Sequence, residues 1–278
     1  MQDGLKSAGL RHLLACVLCV TLQTAQATDW PRWRGPSGSG VTPEASGWDG
    51  RRWNIRERWQ AEVGPGMAAS PAIAGDRVYV MGRNGDADQL VCLNLEDGTV
   101  AWKQQIACRA DGRFREGESC EGPTCTPTVD GTTGFVYTLG NDGDLVCWNG
   151  GDEGKPVWRM NLYDVYEVDA RRSQARQNPR RDYGYTGNVL ICKDVAIVEV
   201  GDEDGGNVMA FDKRTGKPRW ASEDRNDAGH NCGPVLMTVE RRPCLASLTL
   251  EGLRVMRLDP GREGENVAWY PWSVPFNV

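Results

Sequence analysis

Four times the chain writes a glycine turn and then, four or five residues on, a tryptophan: "DGTVAW" (97–102), "EGKPVW" (153–158), "TGKPRW" (215–220) and "GENVAW" (264–269). The copy extends upstream. Aligned on Asn94, Asn149, Asp212 and Asp259, each copy has apolar residues at the four preceding positions, broken only by Arg257. Further upstream lies a second apolar run in each copy, "DRVYVMG", "GFVYTLG", "DVAIVEVG" and "PCLASLTL", and before those "SPAIAG", "TPTVDG", "GNVLIC" and "GPVLM". Short runs rich in Val, Ile, Leu and aromatics, punctuated by turn residues, read as three or four antiparallel strands per unit.

The tryptophans are 56, 62 and 49 residues apart, a repeat of blade size plus insertions. A four-stranded unit cannot bury both faces alone, so it stacks on its neighbours; radial stacking gives a β-propeller with Trp wedged between blades. The runs are continuous rather than alternating, as expected of strands covered on both faces. The expected fold is therefore all-β, with about four four-stranded antiparallel blades spanning roughly 66–108, 124–162, 185–222 and 231–272. Trp59, Trp102, Trp158, Trp220 and Trp269, with Gly98, Gly154 and Gly216, are the repeat's structural residues. "ERWQAEV" (57–63) looks like the closing strand of a unit, with Trp59 in the repeated Trp place. Four units and one orphan strand do not close a ring. The expectation is an incomplete, C-terminally truncated arc whose open edges invite association.

The first 27 residues read differently. Lys6 and Arg11 precede the apolar run Leu13–Leu22, and Ala25-Gln26-Ala27 supplies a small-x-small cleavage site. This predicts a cleaved signal peptide, a mature start at Thr28 and a periplasmic or secreted protein, with an N-terminal extension over 28–56. The run is too short to span a bilayer. "LLAC" at 13–16 has only two apolar residues between His12 and Ala15, too few for a lipoprotein signal. A net charge of −6 gives no overall footprint for nucleic acid.

Chemistry-bearing motifs are sparse. There is no G-x-S-x-G, P-loop or G-x-G-x-x-G; "GPSGSG" (35–40) reads as a flexible loop. Beyond the leader the only histidine is His230; with Cys232 it lies in "AGHNCGPVL", read as a blade-edge turn. Cys92, Cys147, Cys192 and Cys244 fall in apolar runs and read as small buried hydrophobes. Cys108, Cys120 and Cys125 lie in or near a polar stretch where a local disulfide fits an oxidising compartment. "GDEDGGN" (201–207) gathers three carboxylates without calcium-loop spacing and reads as a solvated hairpin tip. Arg171, Arg172, Arg176, Arg180 and Arg181 crowd the long connection between the second and third units, a candidate partner-binding loop.

The third copy, "VAIVEVGDEDGGNVMAFDKRTGKPRW", and the first, "VYVMGRNGDADQLVCLNLEDGTVAW", resemble the pyrroloquinoline-quinone (PQQ)-type repeat. The opening "DWPRWRGPSGSGV" (29–41) resembles that of exported bacterial propellers of this family. These are similar in fold to the outer-membrane assembly propeller lipoprotein and to quinoprotein alcohol dehydrogenases. In quinoprotein dehydrogenases of this family the quinone stacks on a disulfide between adjacent cysteines; this sequence has no Cys-Cys, no recognisable calcium ligand set and no haem-attachment C-x-x-C-H. No cofactor is therefore expected. The expected function is an exported, non-enzymatic module that binds a protein or polysaccharide. The alternative is a PQQ- and calcium-dependent dehydrogenase, or a degenerate fragment of one.

Overall fold

The apolar runs become strands in sets of four. The computed structural model describes residues 29–53, 55–66, 69–108, 122–166, 168, 184–202, 204–225, 233–249 and 252–272. The first sheet holds β1 (Ala72–Ala74), β2 (Arg77–Asn84), β3 (Ala87–Asn94) and β4 (Val100–Ala107). The second holds β5 (Thr128–Asp130), β6 (Phe135–Leu139), β7 (Asp144–Asn149) and β8 (Lys155–Asn161). A short helix, α1 (Leu162–Val165), follows. The third sheet holds β9 (Leu190–Cys192), β10 (Val195–Asp202), β11 (Gly206–Asp212) and β12 (Pro218–Ala221). The fourth holds β13 (Val235–Val239), β14 (Arg242–Leu248), β15 (Gly252–Arg257) and β16 (Asn266–Pro271). Every sheet is an antiparallel meander in chain order. These are the four blades of a propeller.

Each sheet hides its two middle strands. β3, β7 and β11 are buried along nearly their whole length, because neighbouring sheets cover both faces of β7 and β11, while β3 has the second sheet on one face and Trp59, Ala61 and Val63 on the other. One core joins the first and second sheets through Tyr79, Leu90, Cys92, Val136 and Trp148. A second joins the second and third sheets around Tyr137, Leu145, Val198 and Phe211, and a third packs Ile197 and Val208 against Leu245 and Met256. Among the described residues no core cluster contains both the first and the fourth sheet. The series of blades is open.

The Trp and Gly of the motif meet at the first junctions, where Trp59, Trp102 and Trp158 each meet the glycine of the unit that follows. Gly98 lies under the ring of Trp59, Gly154 under Trp102 and Gly216 under Trp158. All three glycines have φ near 70°, where other residues are strained. A Cβ on any of them would come within 2.8 Å of a ring carbon. The indole N–H adds direction: Trp59 donates to the Leu95 carbonyl (3.0 Å) and Trp158 to the Lys213 carbonyl (3.0 Å), equivalent positions one residue beyond the repeat's Asn or Asp. Tyr137 donates to that same Lys213 carbonyl (2.9 Å). The Lys213 ammonium reaches back to the second sheet and pairs with Asp130 at 2.8 Å, both side chains being buried.

Two sequence expectations change. Residues 57–63 form no strand. They pass over the outer face of the first sheet, where the Val63 carbonyl accepts from the Gln89 side chain (2.8 Å) and lies so close to Gly82 that no Cβ would fit there. Trp59 still takes the repeated Trp place. The "GPSGSG" stretch is a hook, not a loose loop: Gly35 N donates to Arg32 O, Gly38 N to Gly35 O and Gly40 N to Arg34 O, at 2.8–3.0 Å. Glycine at positive φ lets the chain double back three times within six residues.

Candidate functional site: the connector end of the blades

An antiparallel meander sends its loops to two ends. One end carries the short β1–β2 and β3–β4 turns with the Trp–Gly joints. The other carries the β2–β3 hairpins and the long connections between blades, 108–127, 162–189 and 222–234. In a stacked-unit fold, insertions concentrate where binding occurs.

Buried polar groups line this connector end. Five residues before the aligned Asn or Asp of each repeat stands Gln89, Asp144, Asn207 or Arg254, a polar side chain beside an apolar run. Arg254 Nε lies 3.3 Å from Asp224, and its guanidinium stacks over the Trp269 ring at 4.8 Å. Asn207 is fully buried, and neither atom of its amide is hydrogen-bonded within the described residues. Ser247 donates to the buried Glu199 across the third and fourth sheets.

Between the first two sheets, Asp88 faces Asp142 and Asp144. Burial raises Asp88 to about 6, against the pull of Cys108 and Arg83, the latter 3.6 Å away. Burial also raises Asp144 to about 6, opposed by a hydrogen bond from Asn161. Gly140 lets the two carboxylates share this space: a Cβ there would sit 3.1 Å from Asp88 Oδ2 and 3.7 Å from the Asp144 Cβ.

Asn141 organises the connections themselves. It donates to the Gly122 carbonyl (2.9 Å) and accepts from the Thr124 amide (3.2 Å) and hydroxyl (3.1 Å). Its own carbonyl accepts from Tyr185 N (2.9 Å) and touches Gly184. One buried hairpin residue thus fixes both the connection entering the second blade and the one leaving it.

The residues singled out in the sequence divide between the ends. Trp59, Trp102 and Trp158 sit on their glycines at the opposite end. Trp220 has no such seat, because the Gly264 turn approaches Ala221 and Ser222 instead. A cleft of about 260 Å³ remains there, lined by Trp220, Pro243 and Leu258, with Lys193, Arg219 and Glu263 around it. Trp269 is 52% exposed on the fourth sheet. Cys92, Cys147 and Cys244 are buried thiols and Cys192 is half-buried. Arg171, Arg172, Arg176, Arg180, Arg181, His230, Cys120 and Cys232 lie outside the described residues. Within 201–207, Asp202 is buried and accepts from Asp204 N (3.0 Å), an ordinary hairpin contact.

The cavity at the inner strands is about 40 Å³, far below the roughly 300–1,000 Å³ of ligand pockets. The larger cleft sets a lysine and an arginine beside Asp194 and Glu263 rather than a shared carboxylate set. No described group of three or more His, Cys, Asp or Glu is arranged to hold a metal ion.

Four-stranded meanders joined by Trp-on-Gly contacts define a repeat propeller of the PQQ type. The family model described as outer membrane protein assembly factor BamB matches residues 54–162 and 117–263, and the chain belongs to that family. It is 25% identical over 183 residues to the outer membrane protein assembly factor BamB of Burkholderia pseudomallei strain K96243, covering 60% of this chain and 45% of that one. The chain thus spans less than half the length of this curated relative. Among solved structures, a Bacteroides fragilis NCTC 9343 protein aligns with a TM-score of 0.39 and 8% identity, over 75% of this chain and 53% of that one. Saccharomyces cerevisiae Sqt1 aligns with a TM-score of 0.38 and 11% identity, over 63% and 39%. No described helix is long and apolar enough to cross a membrane.

Proposed function

We propose that this chain is an exported, non-enzymatic propeller that binds a protein partner in the cell envelope, in the service of outer-membrane protein assembly. The observation that carries the reading is the match to the assembly-factor family over 54–263. The signal-like residues 1–27 support export of a mature chain that starts at Thr28. The connector end is the contact surface: it holds the long inter-blade connections, one of which carries the five arginines in its sequence, and is fixed underneath by Asn141. No quinone takes part.

Site-specific photocrosslinking in intact envelopes tests this. A photoreactive residue at Val165, which is 58% exposed on α1 at the connector end, should trap an outer-membrane β-barrel protein or a component of its assembly machinery. The same group at Lys217, exposed at the opposite end, should trap neither. Equal adducts at both positions would reject the connector end as the surface. Stoichiometric PQQ retained through gel filtration with calcium, together with dye reduction by a simple alcohol, would reject the reading as a whole.

A further inference from the structure

The first strand of each blade has one edge bonded within its sheet and the other turned toward the propeller axis. Such an edge is a row of unpaired N–H and C=O groups that invites another extended chain. Here that chain is present. Trp30 precedes a proline and is therefore held extended. It makes a two-bond pair with Ile73 on β1: Trp30 N to Ile73 O (2.9 Å) and Ile73 N to Trp30 O (2.8 Å). Asp29 accepts from Gly75 N at 2.9 Å. Pro31 has no N–H to leave unsatisfied, and its carbonyl accepts from Val129 N on β5 at 2.7 Å.

Beyond Pro31 the segment continues past β9 and β13. Arg32 and Trp33 face Leu190, Val235 and Leu236 across the cavity of about 40 Å³. Burial lowers the Arg32 pKa, partly offset by Cys192 beside it. The segment is itself folded. Arg32 Nη2 donates to Pro36 O (2.9 Å), Arg34 Nη2 donates to Ser39 O (3.1 Å), and the Arg34 guanidinium lies over the Trp33 ring at 5.2 Å. Gly35, at φ 75°, lies against the Trp30 ring, where a Cβ would come 2.8 Å from two ring carbons.

We propose that the axial edges of the four blades form a peptide-binding groove, that residues 29–40 are its built-in ligand, and that the groove accepts an extended peptide of Trp-Pro-x-x-Arg type. The segment is hydrogen-bonded to the first and second blades and faces the third and fourth across one cavity, and every blade-to-blade core lies outside it. It is therefore a removable element that closes the axis without being part of any sheet. The inference is independent of what the connector end binds.

The test keeps the full mature chain. A protease site is inserted between Ser46 and Gly47, in an exposed stretch, and the purified protein is cut. The fragment carrying residues 29–40 should co-elute with the blades on gel filtration. An excess of free peptide 28–41 should displace it, and Trp30→Ala should weaken its retention at least tenfold. In the uncut chain, Gly35→Val should speed hydrogen exchange at the Ile73, Gly75 and Val129 amides at least tenfold. The amides of Val91 and Val146, inside the sheets, should be unchanged. Separation of the fragment as soon as the chain is cut, or failure of the free peptide to displace it, would overturn the proposal. So would Ile73, Gly75 and Val129 protection that is indifferent to Gly35→Val.

Discussion

At the scale of single residues, the joint between blades is a ring on a glycine plus one indole hydrogen bond. Gly216→Val puts a branched side chain both at positive φ and into the Trp158 ring. A loss of about 2–5 kcal/mol is expected, read as a lowered denaturant midpoint. Trp158→Phe keeps most of the packing and loses the bond to the Lys213 carbonyl, so about 1 kcal/mol should go. Asn141→Ala leaves the Thr124 amide and the Gly122 carbonyl without their buried partner, at about 1–3 kcal/mol. The Trp and Gly positions were legible in the sequence because repetition exposes them: four copies make an otherwise ordinary Trp stand out. Asn141 was not legible. It sits in a hairpin that the other copies share without an Asn at that place, and its partners Thr124 and Tyr185 are 17 and 44 residues away. The polar residue five before each repeat Asn or Asp could have been found by the same alignment, as a polar position held in all four units.

At the scale of elements, the junction between the first and second sheets is the place where pH acts. Asp88 and Asp144 are both raised to about 6, above the usual carboxylate value near 4. The folded state therefore binds protons more tightly than the unfolded chain between pH 4 and 6. The contribution of this pair is fully present below about pH 4 and is lost as pH rises through 6. Arg83 and Arg159 oppose the shift, while Asp142 and, for Asp144, Asp164 add to it. Urea midpoints measured from pH 4 to 8 should show a component that declines to about pH 6 and then levels. Asp88→Asn with Asp144→Asn should remove that component. The elements also show why the residues 57–63 misled. Their Trp matches the repeat, but strand pairing depends on the groups alongside, and this stretch crosses the face of the sheet at Gly82 rather than running along an edge. The "GPSGSG" hook hid for a related reason. Three glycines suggest looseness until a Trp ring and two arginines are found to fill the space they leave.

At the scale of the whole molecule, each blade contacts its sequence neighbours, so stability is distributed as in a row of stacked units. The second and third sheets are covered on both sides. The fourth is not: Val235, Leu236 and Met237 on β13 and Trp269 and Tyr270 on β16 are exposed by 37–66%. On native-state hydrogen exchange the amides of β14 and β15 should therefore open at lower free energy than those of β6, β7, β10 and β11. Uniform protection across all four sheets would contradict this. The number of blades and their four-stranded form were legible in the apolar runs. The open arc was legible too, from four units and a lone Trp59 segment; among the described residues no core joins the first sheet to the last.

The Trp-on-Gly joint has one more consequence. The first and second units each set a ring on the glycine of the unit after them and offer a glycine to the tryptophan before them, so either repeat carries both halves of the connection. Duplicating or deleting one of these two repeats by recombination leaves each surviving Trp-on-Gly contact with a matching partner, without compensating substitutions elsewhere. Blade number in such a lineage can drift by gene rearrangement alone, and tryptophan and glycine need only be inherited together.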